Sequence, residues 1–170
     1  MSAIYTIFNV LAGNFDEEKF WQVRDRLVSG RRNIAKCYYH WWYQRTLNSF
    51  NAFIPLSAVF DTHPVLPHGI SGIHISGGAH IGRDCVLFHH VTIGSNTLAD
   101  SSNRGSPTIG DGCYIGCGAS IIGNVRIGNN VRIGANCVVV SDIPDNSTVV
   151  MQKARIIPGA MPHNNEFIPR

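Results

Sequence analysis

The sequence predicts an all-β solenoid, a parallel β-helix with a short helical cap at its N-terminal end, on three observations. Aliphatic residues return every six positions, at Ile75, Ile81, Leu87 and Ile93, then at Ile109, Ile115, Ile121, Ile127, Ile133 and Val139. Six of these ten are followed by Gly. Four positions after the aliphatic stands a small or β-branched residue, as at Ala79, Cys85, Val91, Cys113, Ala119, Val125, Val131 and Cys137. Composition agrees: 14 of the 17 Gly lie between Gly69 and Gly134, and charged residues make up only 15% of the 170-residue chain.

A helix would space its apolar residues by three and four, and an ordinary strand would alternate strictly. Period six fits a short strand and a turn per unit, with the aliphatic and the small residue both pointing into a narrow prism. Three units close a coil of 18 residues, and coils stack by backbone hydrogen bonding. Each coil shields the next, so the prism needs little charge and many turns. A Gly-rich β-sandwich would not keep two fixed phases through ten units. Cys85, Cys113 and Cys137 fall at the small inward position, which reads as core filling.

In chain order, residues 1–50 read as a helical segment. Asn14 with Glu17 three positions on resembles a capping box, and Phe15 to Val28 reads as helix. Past Gly30, Arg31 and Arg32 a second helix is expected over 33–48, carrying the aromatic run YYHWWY (38–43). The pair is expected to cover the unpaired end of the prism, in preference to touching a membrane or partner through residues 30–45. The β-helix is expected over 51–150, with Ile54, Phe60 and Leu66 continuing the spacing upstream, and 151–170 as a C-terminal tail. Two breaks interrupt it. Leu66 to Ile75 is nine residues, around His68–Ser71. Ile93 to Ile109 is 16, and TLADSSNRGSP (97–107) has loop composition, so 95–107 is expected to be extruded. A loop pushed out of a rigid scaffold is where function concentrates.

The net charge of +3 excludes little by its size but more by its placement. Residues 1–50 hold seven basic and four acidic side chains; the remainder holds seven of each. That is no nucleic-acid footprint. With 44% apolar residues, neither disorder nor a long solvated coiled coil is expected. No apolar run reaches the length of a membrane span. The start MSAIYTIFNVLAG lacks the basic lead of a signal peptide, so a cytoplasmic location is expected. Five Cys, odd in number and without a CxxC pair, indicate neither a disulfide framework nor a zinc knuckle.

The repeats resemble the left-handed β-helix of the hexapeptide acyltransferases. Within them LPHGISGIHIS (66–76), VTIGSN (91–96), IGCGASIIGNVRIG (115–128), IGANCVVVSDIP (133–144) and KARII (153–157) resemble the serine acetyltransferase family, over roughly three-fifths of the chain. The resemblance implies a homotrimer with acetyl-CoA in a groove between neighbouring prisms, and transfer of acetyl from CoA to a hydroxyl. A neutral alcohol needs a base as it attacks the thioester, and imidazole suits that task near neutral pH. Thiolate leaves readily, so no metal is expected. The family's catalytic His corresponds to His68. Leu66 and Leu87 begin equivalent units one coil apart, so His68 and His89, each two residues on, should stack at a spacing of about 4.8 Å. His89 would then orient His68 or bind the acceptor, with His90 as a further substrate contact. Gly94, Ser95, Cys117, Gly118 and Ala135 match positions lining the family's pantetheine groove, and Lys153 and Arg155 are placed to meet the nucleotide phosphates.

Four positions depart from that family. Counting back 15 residues from His68 puts Phe53 where the family has the Asp that pairs with the catalytic His. Pro67 replaces the Asp that grips the amine of serine. Gly105 and Ser106 stand where Arg and His recognise the carboxylate, although Arg104 is close enough in sequence to supply the Arg. An amino acid needs a counter-charge at both ends, and a neutral sugar does not. The expected acceptor is therefore a sugar hydroxyl, as in surface polysaccharide synthesis, with serine as the alternative. Two rival classes remain. His63 and His68, five apart, resemble the paired zinc ligands of the gamma-class carbonic anhydrases, although Leu27 stands where a third His would be sought. A non-catalytic trimeric scaffold would also account for the missing Asp.

Overall fold

The computed structural model describes residues 15–30 and 34–153. Among the described residues two helices, α1 (Glu17–Ser29) and α2 (Ile34–Ser49), precede twelve strands of two or three residues. These are β1 (Val59–Phe60), β2 (His74–Ile75), β3 (His80–Ile81), β4 (Val86–Leu87), β5 (Thr92–Gly94), β6 (Thr108–Ile109), β7 (Tyr114–Ile115), β8 (Ser120–Ile122), β9 (Arg126–Ile127), β10 (Arg132–Ile133), β11 (Val138–Val139) and β12 (Thr148–Val149). They form the three parallel faces of a left-handed β-helix. The first face stacks β2, β5, β8 and β11; the second β1, β3, β6 and β9; the third β4, β7, β10 and β12.

Register follows the six-residue repeat. His74 pairs with Thr92, Thr108 with Arg126 and Tyr114 with Arg132, each 18 residues on. Pairs that span the 95–107 loop, such as Leu87 with Ile115, are 28 apart, and Val65 with Val86 is 21 apart. The two breaks are thus insertions of ten and three residues, and the last coil is two residues short, since Arg132 pairs with Thr148 and Ile127 with Ile143, each 16 on. The ten aliphatic positions from Ile75 to Val139 are all buried, at 3% exposure or less, and so are the eight small or β-branched positions. Cys85, Cys113 and Cys137 lie among them. The 95–107 segment is a short excursion closed by an antiparallel bridge between Asn96 and Gly105.

The helices cover the first coil, as expected. Phe20 and Tyr43 stack at 5.1 Å, and the Tyr43 hydroxyl donates to the Ile54 carbonyl at 2.7 Å. Trp21 meets Phe60 edge-on at 5.4 Å. Arg24, 5% exposed, donates to the Ala58 carbonyl with its guanidinium 4.6 Å from the Phe60 ring centre. The expected capping box needs correction. Asp16 is the N-cap: its backbone is extended and its carboxylate accepts from the Lys19 N–H at 3.0 Å. A cap binds the amide two or three residues on, so Asp16 places the helix start at Glu17. Asn14 lies outside the described residues, as do Arg31 and Arg32.

Candidate active site

The three-residue insertion falls at the corner between the third and first faces. There each coil turns through a residue of positive φ, Gly72 (+64°), His90 (+58°), Gly118 (+68°) and Asn136 (+58°), and the insertion adds a second in the first coil, Gly69 (+65°). His90 N–H donates to Ser71 O at 2.8 Å, Gly118 N–H to His89 O at 3.1 Å, and Asn136 N–H to Cys117 O at 2.8 Å. The corner is therefore a backbone ladder in which Ser71, His89, Cys117 and Ala135 are equivalent. Most residues pay for left-handed backbone, and His90 does so within this ladder. Its ring Nδ1 sits 2.0 Å from where a Cβ on Gly72 would stand, so the missing side chain at Gly72 makes room for the imidazole.

The insertion pushes His68 outward from that ladder as an exposed residue. Its imidazole lies flat on that of His89, with ring centres 4.9 Å apart and planes 5° from parallel. This is the stack expected from the register of Leu66 and Leu87. His90 meets His89 edge-on at 5.3 Å. Phe88 closes the other side of His68 at 5.5 Å and packs on Tyr114 at 5.1 Å. The Nδ1 of His89 is buried without a hydrogen-bond partner among the described residues, which leaves Nε2 for any contact with a substrate. No carboxylate among the described residues hydrogen-bonds to His68. The result is one exposed base held by stacking, on an aromatic and imidazole floor.

The other expected site residues divide between two corners. Cys117, Gly118 and Ala135 continue the histidine corner along the prism. Gly94, Ser95, Arg104 and Ser106 lie at the corner between the first and second faces, where the loop leaves. Gly94 packs beneath Ile122, whose Cδ1 is 2.8 Å from where a Cβ would stand. The hydroxyl of Ser106 lies 2.7 Å from the same position on Gly78. Within one chain the first face separates Ser106 and Arg104 from His68. Lys153 is exposed, and Arg155 lies outside the described residues. Phe53 is 54% exposed and pairs with His74 on the first face.

Within one chain the structure gives the paired-zinc reading of His63 and His68 no support, because His63 is engaged elsewhere. His63 stacks on Trp21 at 4.7 Å, with Nε2 3.1 Å from the Asp25 carboxylate, and it pins α1 to the first coil. Among the described residues no group of three or more His, Cys, Asp or Glu side chains could hold a metal. Sequence reasoning missed Phe88, Tyr114 and Gly72. Phe88 immediately precedes His89 and follows an aliphatic, the position that elsewhere in the repeat is often Gly, and that exception was the available signal.

Residues 106–141 match the family model described as bacterial transferase hexapeptide (six repeats). The chain is 42% identical over 106 residues to probable serine acetyltransferase 1 of Oryza sativa subsp. japonica, covering 58% of this chain and 34% of that protein. Two solved structures share the architecture. The serine acetyltransferase of Neisseria gonorrhoeae in complex with serine aligns with a TM-score of 0.64 and 33% identity, over 81% of this chain and 55% of that one. Isoform 3 from Entamoeba histolytica, in complex with cysteine, aligns with a TM-score of 0.65 and 28% identity, over 86% and 50%. The chain thus spans about a third of the rice protein and about half of each solved chain.

Proposed function

On a hexapeptide-repeat scaffold similar to that of the serine acetyltransferases, we propose that this chain is an acetyl-CoA-dependent O-acetyltransferase with His68 as its general base. The observation that carries the reading is the exposed His68 imidazole, bulged from the prism by an insertion and laid on His89. His68 takes the acceptor's hydroxyl proton as that oxygen attacks the thioester carbonyl of acetyl-CoA. A C–O bond forms, the C–S bond breaks, and the departing thiolate receives the proton from His68. Base catalysis of this kind contributes about 10²–10⁴-fold. The small residues Cys117, Gly118 and Ala135 leave the corner thin enough for a pantetheine arm, and Gly94 and Ser95 do the same at the next corner. Lys153 and Arg155 suit the nucleotide phosphates. Because these two corners flank the first face, a second copy of the chain is needed to bring one against the other, which favours a homotrimer.

For the acceptor, the similar proteins favour serine over the sugar hydroxyl expected from the sequence. The sugar remains a second reading because Phe53, Pro67, Gly105 and Ser106 supply none of the charges that would hold an amino acid. The test is CoA release from acetyl-CoA by wild type and His68→Ala, with L-serine and a panel of sugars and nucleotide sugars. Turnover with serine that the substitution abolishes establishes the first reading. Turnover with a sugar alone establishes the second. Failure to bind acetyl-CoA, with no loss on His68→Ala, would move the chain to a non-catalytic scaffold.

A further inference from the structure

The outer face of α2 is left out of the core that its inner face joins. Tyr43 and Leu47 are buried, and Tyr39 and Trp42 pack partly against the same cluster. Ile34, Tyr38 and Trp41, on the other side, are 93%, 60% and 58% exposed. With Arg45 they follow i, i+4, i+7 and i+11 spacing, which places them in one stripe along the helix. The Arg45 guanidinium lies 5.8 Å from the Trp41 ring centre. From Leu27 to Phe60 the chain carries no Asp or Glu, but it carries Arg31, Arg32, Lys36 and Arg45.

We infer that this stripe docks on an anionic lipid surface, independently of the acetyl-transfer reading. Tyr and Trp have an apolar body and a polar edge, and both favour the headgroup layer of a bilayer. Ile34 adds an aliphatic anchor at the end of the stripe. Arg45, beside Trp41 in a stretch of sequence without Asp or Glu, supplies a cation for a lipid phosphate, strengthening attachment to an anionic surface by about fivefold. No helix among the described residues is long and apolar enough to cross a membrane, so α2 lies in the interface plane. A second copy of the chain is a poorer occupant. Two such stripes face to face add basic charge from both copies with no carboxylate on either helix to pair with it. The chain after α2 leads directly to the site, since the Phe50 carbonyl accepts from Gly72 N–H at 2.9 Å. A docked α2 therefore holds the histidine corner beside the lipid surface.

The experiment is co-flotation of the full chain with vesicles of phosphatidylcholine alone and of phosphatidylcholine with phosphatidylglycerol. Wild type is expected to float with the anionic vesicles, and less as salt rises. Tyr38→Ser with Trp41→Ser, and separately Arg45→Glu, should each weaken that binding by about tenfold or more, while Arg45→Lys retains it. All these positions are exposed, and unchanged circular dichroism confirms folding. Absence of binding to anionic vesicles at low salt overturns the proposal, as does equal binding by wild type and the variants. If Trp41→Ser instead lowers the oligomeric mass and leaves lipid binding untouched, a second copy covers the stripe and the proposal is wrong.

Discussion

At the scale of single residues, His68 and His89 are distinguished by exposure and hydrogen bonding. His68 is exposed and bulged; His89 is half-buried, with its Nδ1 enclosed. His68→Ala should lose the general base, whereas His89→Ala should lose only the flat surface that orients it. The expected loss for His89→Ala is roughly tenfold in kcat, below the range of about 10²–10⁴-fold for a base. Steady-state rates with His89→Phe supply the check, because a flat ring should restore part of what Ala removes.

A buried phenol shapes the response to alkali. Burial pushes the Tyr43 phenol above its ordinary range, more than the neighbouring Arg24 lowers it. An acid whose folded value is raised keeps its proton where the unfolded chain has lost it, so folding stability falls with rising pH. The contribution is complete below the unfolded-state value, about 10 for the phenol, and is lost above it. The urea midpoint should hold steady to about pH 9 and then decline towards pH 11. Tyr43→Phe should flatten the upper part of that decline.

At the scale of the coil, the backbone ladder brings neighbours close at the residue after the aliphatic, where six of the ten units have Gly. A Cβ on Gly82 would stand 2.8 Å and 2.9 Å from the Gly110 backbone one coil on. Backbone cannot retreat without opening the ladder, so Gly82→Ala should destabilise the fold by about 1–3 kcal/mol, the usual cost of overpacking. Chemical denaturation measures this directly. The helices obey a different rule. The aromatic run of α2 gives no clean amphipathic pattern, and packing alone divides it into the buried Tyr43 and the exposed Tyr38 and Trp41. Local capping chemistry likewise chose Asp16, which a reading of spaced residue types passed over.

At the scale of the whole molecule, one prism leaves Val59, Val65, Tyr114, Val138 and Val140 between 44% and 68% exposed. They are spread over its three faces, Val59 on the second, Val65 and Tyr114 on the third and Val138 on the first. The division of the proposed site between two corners leads us to expect a trimer, with a mass by light scattering about three times 18.7 kDa. A monomer at working concentrations would leave the two halves of the proposed site apart.

The sequence by itself determined the prism, because a six-residue period has one close-packed solution and every inward position was written in the same two phases. It determined the stacking of His68 on His89 for the same reason: once register is fixed, residues equally far from paired strands meet. Tertiary structure alone decided the rest. The left-handed turn that seats His90 over Gly72 and the commitment of His63 to Trp21 and Asp25 depend on contacts between segments with no common period. Spacing in a sequence shows what repeats and where the repeat breaks, but not which side chains meet at the break.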